Sequence, residues 1–143
     1  MRRGAAPWLV IELAARSIGG LCSRTLKFGS GMSLEELILR HALAIDAGLP
    51  PRDPRAAGVM MIPIPSGGRL DRVFGLDEAR AVPNVEDVVI SAHPGQLLVP
   101  LPEGSRYLGF IFSRAPTPDR AEAALREAHG RLVFDIRPAK TAG

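Results

Sequence analysis

Apolar residues recur along this chain in two rhythms. At Leu34, Leu37, Ile38, Ala42 and Ile45 they stand three or four apart, the spacing of one helix face. Ser33 with Glu36 forms a capping box, in which each side chain satisfies the other's free backbone N–H. Gly48 ends this helix, and Pro50-Pro51 prevents its continuation. Elsewhere the apolar positions form short unbroken or alternating runs, which predict strands at 8–14, 57–64, 69–74, 85–92, 97–99, 107–113 and 132–136. A strand end carrying proline belongs at a sheet edge. Pro65-Ser66-Gly67-Gly68 and His93-Pro94-Gly95-Gln96 read as turns. A short helix over 76–81 closes at Pro83. A longer one over 119–129 takes Thr117 as its cap and Pro118 as its first residue, and buries Ala121, Ala124, Leu125 and Ala128. Helices interspersed with hairpin-like strands predict an α+β fold, a largely antiparallel sheet covered by helices on one face. The proline-rich stretch 49–55 is the internal boundary.

Composition narrows the function classes. A chain of 143 residues suffices for one domain, burying roughly 68–70% of its unfolded surface. The net charge is +3, but the sixteen arginines are scattered, with no run longer than Arg2-Arg3, and stacking aromatics are few. That describes a solvated, mildly basic surface rather than a nucleic-acid interface. Cys22 is the only cysteine, so no internal disulfide forms, which fits a reducing cytoplasm. Nothing places a histidine base beside it, so it reads as a buried structural thiol. No apolar stretch approaches a membrane span, and the Arg-Arg start lacks the apolar core of a signal peptide.

The run from Trp8 to Gly20 carries the candidate chemistry. An apolar strand holds a lone carboxylate, Glu12, and then turns through Arg16 into Gly19-Gly20. Burying a polar group without a partner costs roughly 2–7 kcal/mol, so Glu12 calls for a cation, and Arg16 or a divalent ion suits it. Positions 12, 14 and 16 share one strand face, with small Ala14 between them. The competing reading is an exposed edge-strand ion pair worth ~0–1 kcal/mol.

Glu-x-x-x-Arg-x-x-Gly-Gly after an apolar strand resembles the last catalytic strand of ATP-grasp ligases. The ordered segments Ser33-Leu34-Glu35-Glu36-Leu37-Ile38, Gly58-Val59-Met60-Met61-Ile62-Pro63-Ile64-Pro65 and Tyr107-Leu108-Gly109-Phe110-Ile111-Phe112-Ser113-Arg114 resemble the C-terminal region of its amino-acid-ligase branch. That region is related to the terminal domain of biotin carboxylases. The closing helix 119–129 and Leu132-Val133-Phe134-Asp135-Ile136 extend the likeness over nearly the whole chain. The resemblance implies that residues 1–48 are the last strand, loop and helix of an ATP-grasp lobe, and that 56–137 form a C-terminal ligase domain of the biotin-carboxylase kind. It implies a carboxylate–amine ligase working through an acyl phosphate, with ATP and Mg²⁺ as cofactors. Glu12 would bridge magnesium and Arg16 would hold the substrate carboxylate or the transferring phosphate. Ser17, Gly19 and Gly20 would line the acyl phosphate. Ala14 departs from the family, where an asparagine often adds a second metal ligand.

The glycine-rich phosphate loop is absent, and the only lysines are Lys27 and Lys140. The expectation is the C-terminal piece of a larger ligase, or a gene truncated to that piece, with binding of ATP by this chain alone doubtful. Its partners would be the missing N-terminal lobes or a partner ligase chain, with small carboxylate and amine substrates. The alternative is a non-catalytic stand-alone interaction or oligomerisation module, such as a homodimer. A complete small enzyme such as a Cys22 hydrolase ranks last. Among other residues, His41 reads as a core-edge histidine, and Asp71 and Asp87 as separated strand carboxylates without a partner at ligand spacing. Asp77-Glu78 and Glu122-Glu127 read as solvated helix faces, and Tyr107 as an interface anchor; Arg106 and Arg114 flank an apolar strand, from which they could reach a substrate pocket, with strand-end solvation as the default.

Overall fold

The computed structural model describes residues 19, 21–29, 31–45 and 51–139. Glu12, Arg16, Ser17 and Gly20, with the expected strand 8–14, lie outside the described residues, as do Ala14 and Gly48. A 3-10 turn at Cys22–Thr25 leads into the antiparallel ribbon of β1 (Lys27–Phe28) and β2 (Met32–Ser33), and then into α1 (Leu34–Ala42). The connector lies against this ribbon. Phe28 bridges Arg52, and the Asp53 N–H donates to the Lys27 carbonyl at 3.0 Å.

Helix α1 corrects three expectations. The Ser33 hydroxyl accepts from the Glu36 N–H at 3.1 Å, but the Glu36 carboxylate turns to Arg40 Nε at 2.9 Å, so only half of the capping box forms. The helix stops at Ala42, before Gly48. Ala44 takes φ 53°, its N–H donating to the His41 carbonyl and that of Ile45 to the Arg40 carbonyl, a Schellman closure built without glycine. No residue of α1 is buried; Ile38, Leu39 and Leu43 are 47, 62 and 69% exposed, and His41 faces solvent.

The remaining elements are β3 (Ala56–Ile62), β4 (Gly68–Phe74), α2 (Leu76–Arg80), β5 (Val85–Ile90), β6 (Leu97–Leu98), β7 (Gly109–Ala115), α3 (Pro118–Arg131) and β8 (Val133–Arg137). All strand pairs are antiparallel, as the alternation predicts. In place of one sheet, however, they form two, ordered β3-β7-β5 and β6-β4-β8. Proline-flanked β3 lies at an edge, where a missing N–H is tolerated. Thr117 caps α3, its hydroxyl accepting from the Arg120 N–H, and the helix buries the four expected residues. Gly75, at φ 78° before α2, stands where a Cβ would come within 1.9 Å of the Arg131 carbonyl oxygen.

Strand β7 organises the fold because all seven of its residues are buried. Side chains alternate along a strand, and β7 uses both faces. Ile111 joins the core with Ile62, Val88, Leu108 and Leu125, and the Ser113 hydroxyl donates to the Ala121 carbonyl of α3 at 2.9 Å. Phe110, Phe112 and Arg114 occupy the other face. There Arg24 lies 4.6 Å above the Phe112 ring and Arg114 reaches the Thr25 carbonyl, so that face is turned toward the N-terminal segment.

Candidate functional site

The second face of β7 carries two features, a knot of charge and an open cleft. The knot begins with Arg114, whose side chain is only 3% exposed. Its Nε donates to Glu86 Oε1 at 2.7 Å, Nη1 to Asp53 Oδ2 at 3.4 Å, and Nη2 to the Thr25 carbonyl at 3.0 Å. A guanidinium offers donors in a fixed fork, and here the fork joins the N-terminal turn, the connector and the sheet. A bulge in β5 supplies the second carboxylate. Val85 pairs with Ser113 and Asp87 with Phe112, which leaves Glu86 as the extra residue re-aimed at Arg114. Asp87 then meets Arg24 at 2.9 Å. These contacts correct one expectation, since Arg114 is not a solvated strand end.

Asp53 also accepts from the Arg55 side chain at 3.1 and 2.8 Å and from the Arg55 backbone N–H at 2.9 Å. The Arg55 guanidinium, then its N–H and more weakly Arg114, hold the Asp53 carboxyl down at about 2. The same carboxylate raises Arg55 in turn. Glu35, at the start of α1, is lowered chiefly by the Ser23 hydroxyl.

Beside the knot lies a cleft of about 550 Å³, within the range of small-molecule sites. Gly19 lines it, the one residue of the expected site that falls among those described. Met61, Tyr107 and Phe110 form its apolar wall, the two rings 6.5 Å apart and tilted at 56°. Ser91, Gln96, Ser105 and Arg106 supply polar groups. The Ser91 hydroxyl lies 3.3 Å from the Tyr107 and Leu108 carbonyls, and Gln96 Oε1 accepts from the His93 N–H at 3.2 Å. Cys22 also lines the cleft and is half-buried rather than buried.

The other sequence candidates resolve as structure. His93 to Gln96 is a turn with Gly95 at φ 83°. Asp71 pairs with Arg137 across β4 and β8, and Glu122 and Glu127 pair with Arg126 and Arg131 along an exposed helix face. Among the described residues, no group of three or more His, Cys, Asp or Glu could hold a metal ion, and no helix is long and apolar enough to cross a membrane. Asp53 and Glu86 went unforeseen. The signal available was a single arginine in a strand too apolar to face water on either side.

Comparisons with known proteins follow this geometry. Residues 60–137 match the family L-amino acid ligase C-terminal domain 2. The crystal structure of an L-amino acid ligase from Bacillus licheniformis superposes with a TM-score of 0.67 at 26% identity, covering 84% of this chain and 31% of that one. An uncharacterized protein of Sinorhizobium fredii (strain NBRC 101917 / NGR234), y4rH, is 25% identical over 130 residues, 91% of this chain and 27% of the relative. The chain thus spans less than a third of the length of either.

Proposed function

Because the chain belongs to the L-amino acid ligase C-terminal domain 2 family, we propose that it serves as the C-terminal part of an ATP-dependent carboxylate–amine ligase acting through an acyl phosphate. Residues 1–48 would then end the ATP-grasp lobe and 56–137 form the C-terminal domain. One observation carries the reading. Gly19, in the loop assigned to the acyl phosphate, opens on a cleft with an apolar wall and, among the described residues, one cation, a chamber suited to an amino acid.

In the reaction, a substrate carboxylate oxygen attacks the terminal phosphorus of ATP, and ADP departs with the electron pair of the broken P–O bond. The lone pair of the amine then attacks the acyl carbon. A C–N bond forms, phosphate leaves with the electrons of its C–O bond, and the amine proton passes to solvent. Arg16 would hold the carboxylate in line, since planar bidentate donors suit carboxylate and phosphate alike. Ser17, Gly19 and Gly20 would let backbone N–H groups approach the phosphorylated oxygen. Glu12 would hold Mg²⁺, which takes one or two carboxylates with phosphate and water and balances charge on the phosphates. Its other ligands would come from the nucleotide and from the ATP-grasp lobes that this reading requires.

The test is ATP-dependent phosphate release by the complete protein, with and without amino acids. Glu12→Ala should lower turnover at least about 100-fold, the loss expected when a stabiliser of developing charge is removed. Near-normal turnover in that variant would sink the metal role.

A second reading, a non-catalytic module docking on a partner chain or pairing with itself, has its own observation in the exposed apolar stripe of α1. Sedimentation equilibrium separates the two. A dimer formed by the complete protein and lost in Leu39→Ser, with no ligation, favours the module.

A further inference from the structure

Arg106 lines the cleft beside Gly19 and is the one cation to do so among the described residues. Two other arginines at the second face of β7 are committed. Arg114 is held by Glu86, Asp53 and the Thr25 carbonyl, and Arg24 by Asp87 and Phe112. Arg106 also borders an adjoining cleft of about 290 Å³ that contains Glu103, yet no ion pair joins the two side chains. It is exposed, so the fold does not need its charge. The same cleft is lined by the apolar side chains of Met61, Tyr107 and Phe110.

Ligation of two amino acids leaves one group that the chemistry never consumes. The acyl donor spends its carboxylate on the phosphate, whereas the amine donor attacks through nitrogen and retains its α-carboxylate in the product. A retained carboxylate calls for a fixed cation a few ångströms from the reacting loop, and an apolar side chain calls for an apolar wall. We propose that Arg106 binds the α-carboxylate of an apolar amino acid that serves as the amine donor, with its side chain against Met61 and Phe110. This inference rests on the ligase reading. It makes Arg106 a specificity-determining residue, selecting free amino acids over their amides.

The experiment uses the complete protein with L-leucine and L-leucinamide as amine donors, the second lacking the carboxylate. Phosphate release gives KM for each at saturating ATP and acyl donor. The Arg106 Nε–H resonance, assigned by its loss in Arg106→Met, is followed by NMR on titration with each compound. The inference expects Arg106→Met to raise KM for leucine roughly 10- to 100-fold, the size of a lost charge-assisted pair, while KM for leucinamide and ATP stays unchanged. Arg106→Lys should recover part of the discrimination. The resonance should shift with leucine and not with leucinamide. Ligation in which Arg106→Met still prefers leucine overturns the inference and leaves the ligase standing. A carboxylate-dependent shift without ligation supports carboxylate binding by Arg106 and removes the ligase. An unmoved resonance overturns the inference whatever the turnover.

Discussion

The sheets of residues 56–137 and the segment of residues 19–45 are made of similar amino acids and meet water very differently. In the sheets, Ile62, Val88, Leu108 and Ile111 are wholly buried, and α3 seats four residues on them. In the segment, a helix with an equally clear apolar stripe buries none of its residues. Leu39 and Leu43 stand open, and Ser23 is the one buried residue among those described there. What joins the two regions is largely polar: the Arg114 knot, the Arg24–Asp87 pair and one guanidinium over Phe112. The difference teaches that one region completes its own core, whereas the other leaves an apolar stripe exposed. The chain spans less than a third of the ligase structure it matches.

The sharpest way to break this comparison is to delete the same kind of side chain from each region. Ile111→Ala should destabilise the chain by roughly 2–5 kcal/mol, whereas Leu39→Ala should stay within about 0.5 kcal/mol, both read by urea unfolding. Repeating Leu39→Ala in the complete protein sharpens the contrast. A loss that grows to about 2 kcal/mol there would mean that α1 is covered, as the proposed ligase reading expects of its ATP-grasp lobes.

The knot comes next. Arg114→Met removes the partner of Glu86 and the weaker of Asp53's two arginines, and frees the Thr25 carbonyl, so a loss of roughly 1–3 kcal/mol is expected. A loss below about 1 kcal/mol would show that the two regions do not depend on it. Asp53 adds a pH signature. Its folded value of about 2 lies below the ordinary 3.8, so its stabilisation is present above about pH 4 and is lost as pH falls through about 2. Urea midpoints measured across that window should fall more steeply for the native chain than for Asp53→Asn; parallel curves would remove Asp53 from the account.

The smallest effect concerns the end of α1. Ala44 holds a left-handed conformation that costs an L-residue about 1 kcal/mol, so Ala44→Gly should steady the helix by that amount. Slower hydrogen exchange at the Ile45 amide, which closes on Arg40, would register it. Unchanged exchange would mean that the closure is not the point at which the helix frays.

Local pattern alone determined most of the elements, because periodicity and capping act over a few residues. Thr117 and Pro118 start α3, Ser33 starts α1, and the alternation at 69–74 makes an antiparallel strand. The order of apolar segments also indicated the ligase family that residues 60–137 match. The assigned roles of Glu12 and Arg16 come from that order and stand as proposals. Tertiary structure alone decided which strands share a sheet, since β4 pairs with β6 and β8 across long separations that no local rhythm encodes. It decided the fates of the arginines as well. Arg106 and Arg114 flank the same strand, yet one lines an open cleft and the other is enclosed by a bulge, a connector and a turn. A charge reads the same in sequence wherever it falls. Whether it is solvated, paired or held ready for a ligand depends on what the folded chain brings within about 4 Å of it.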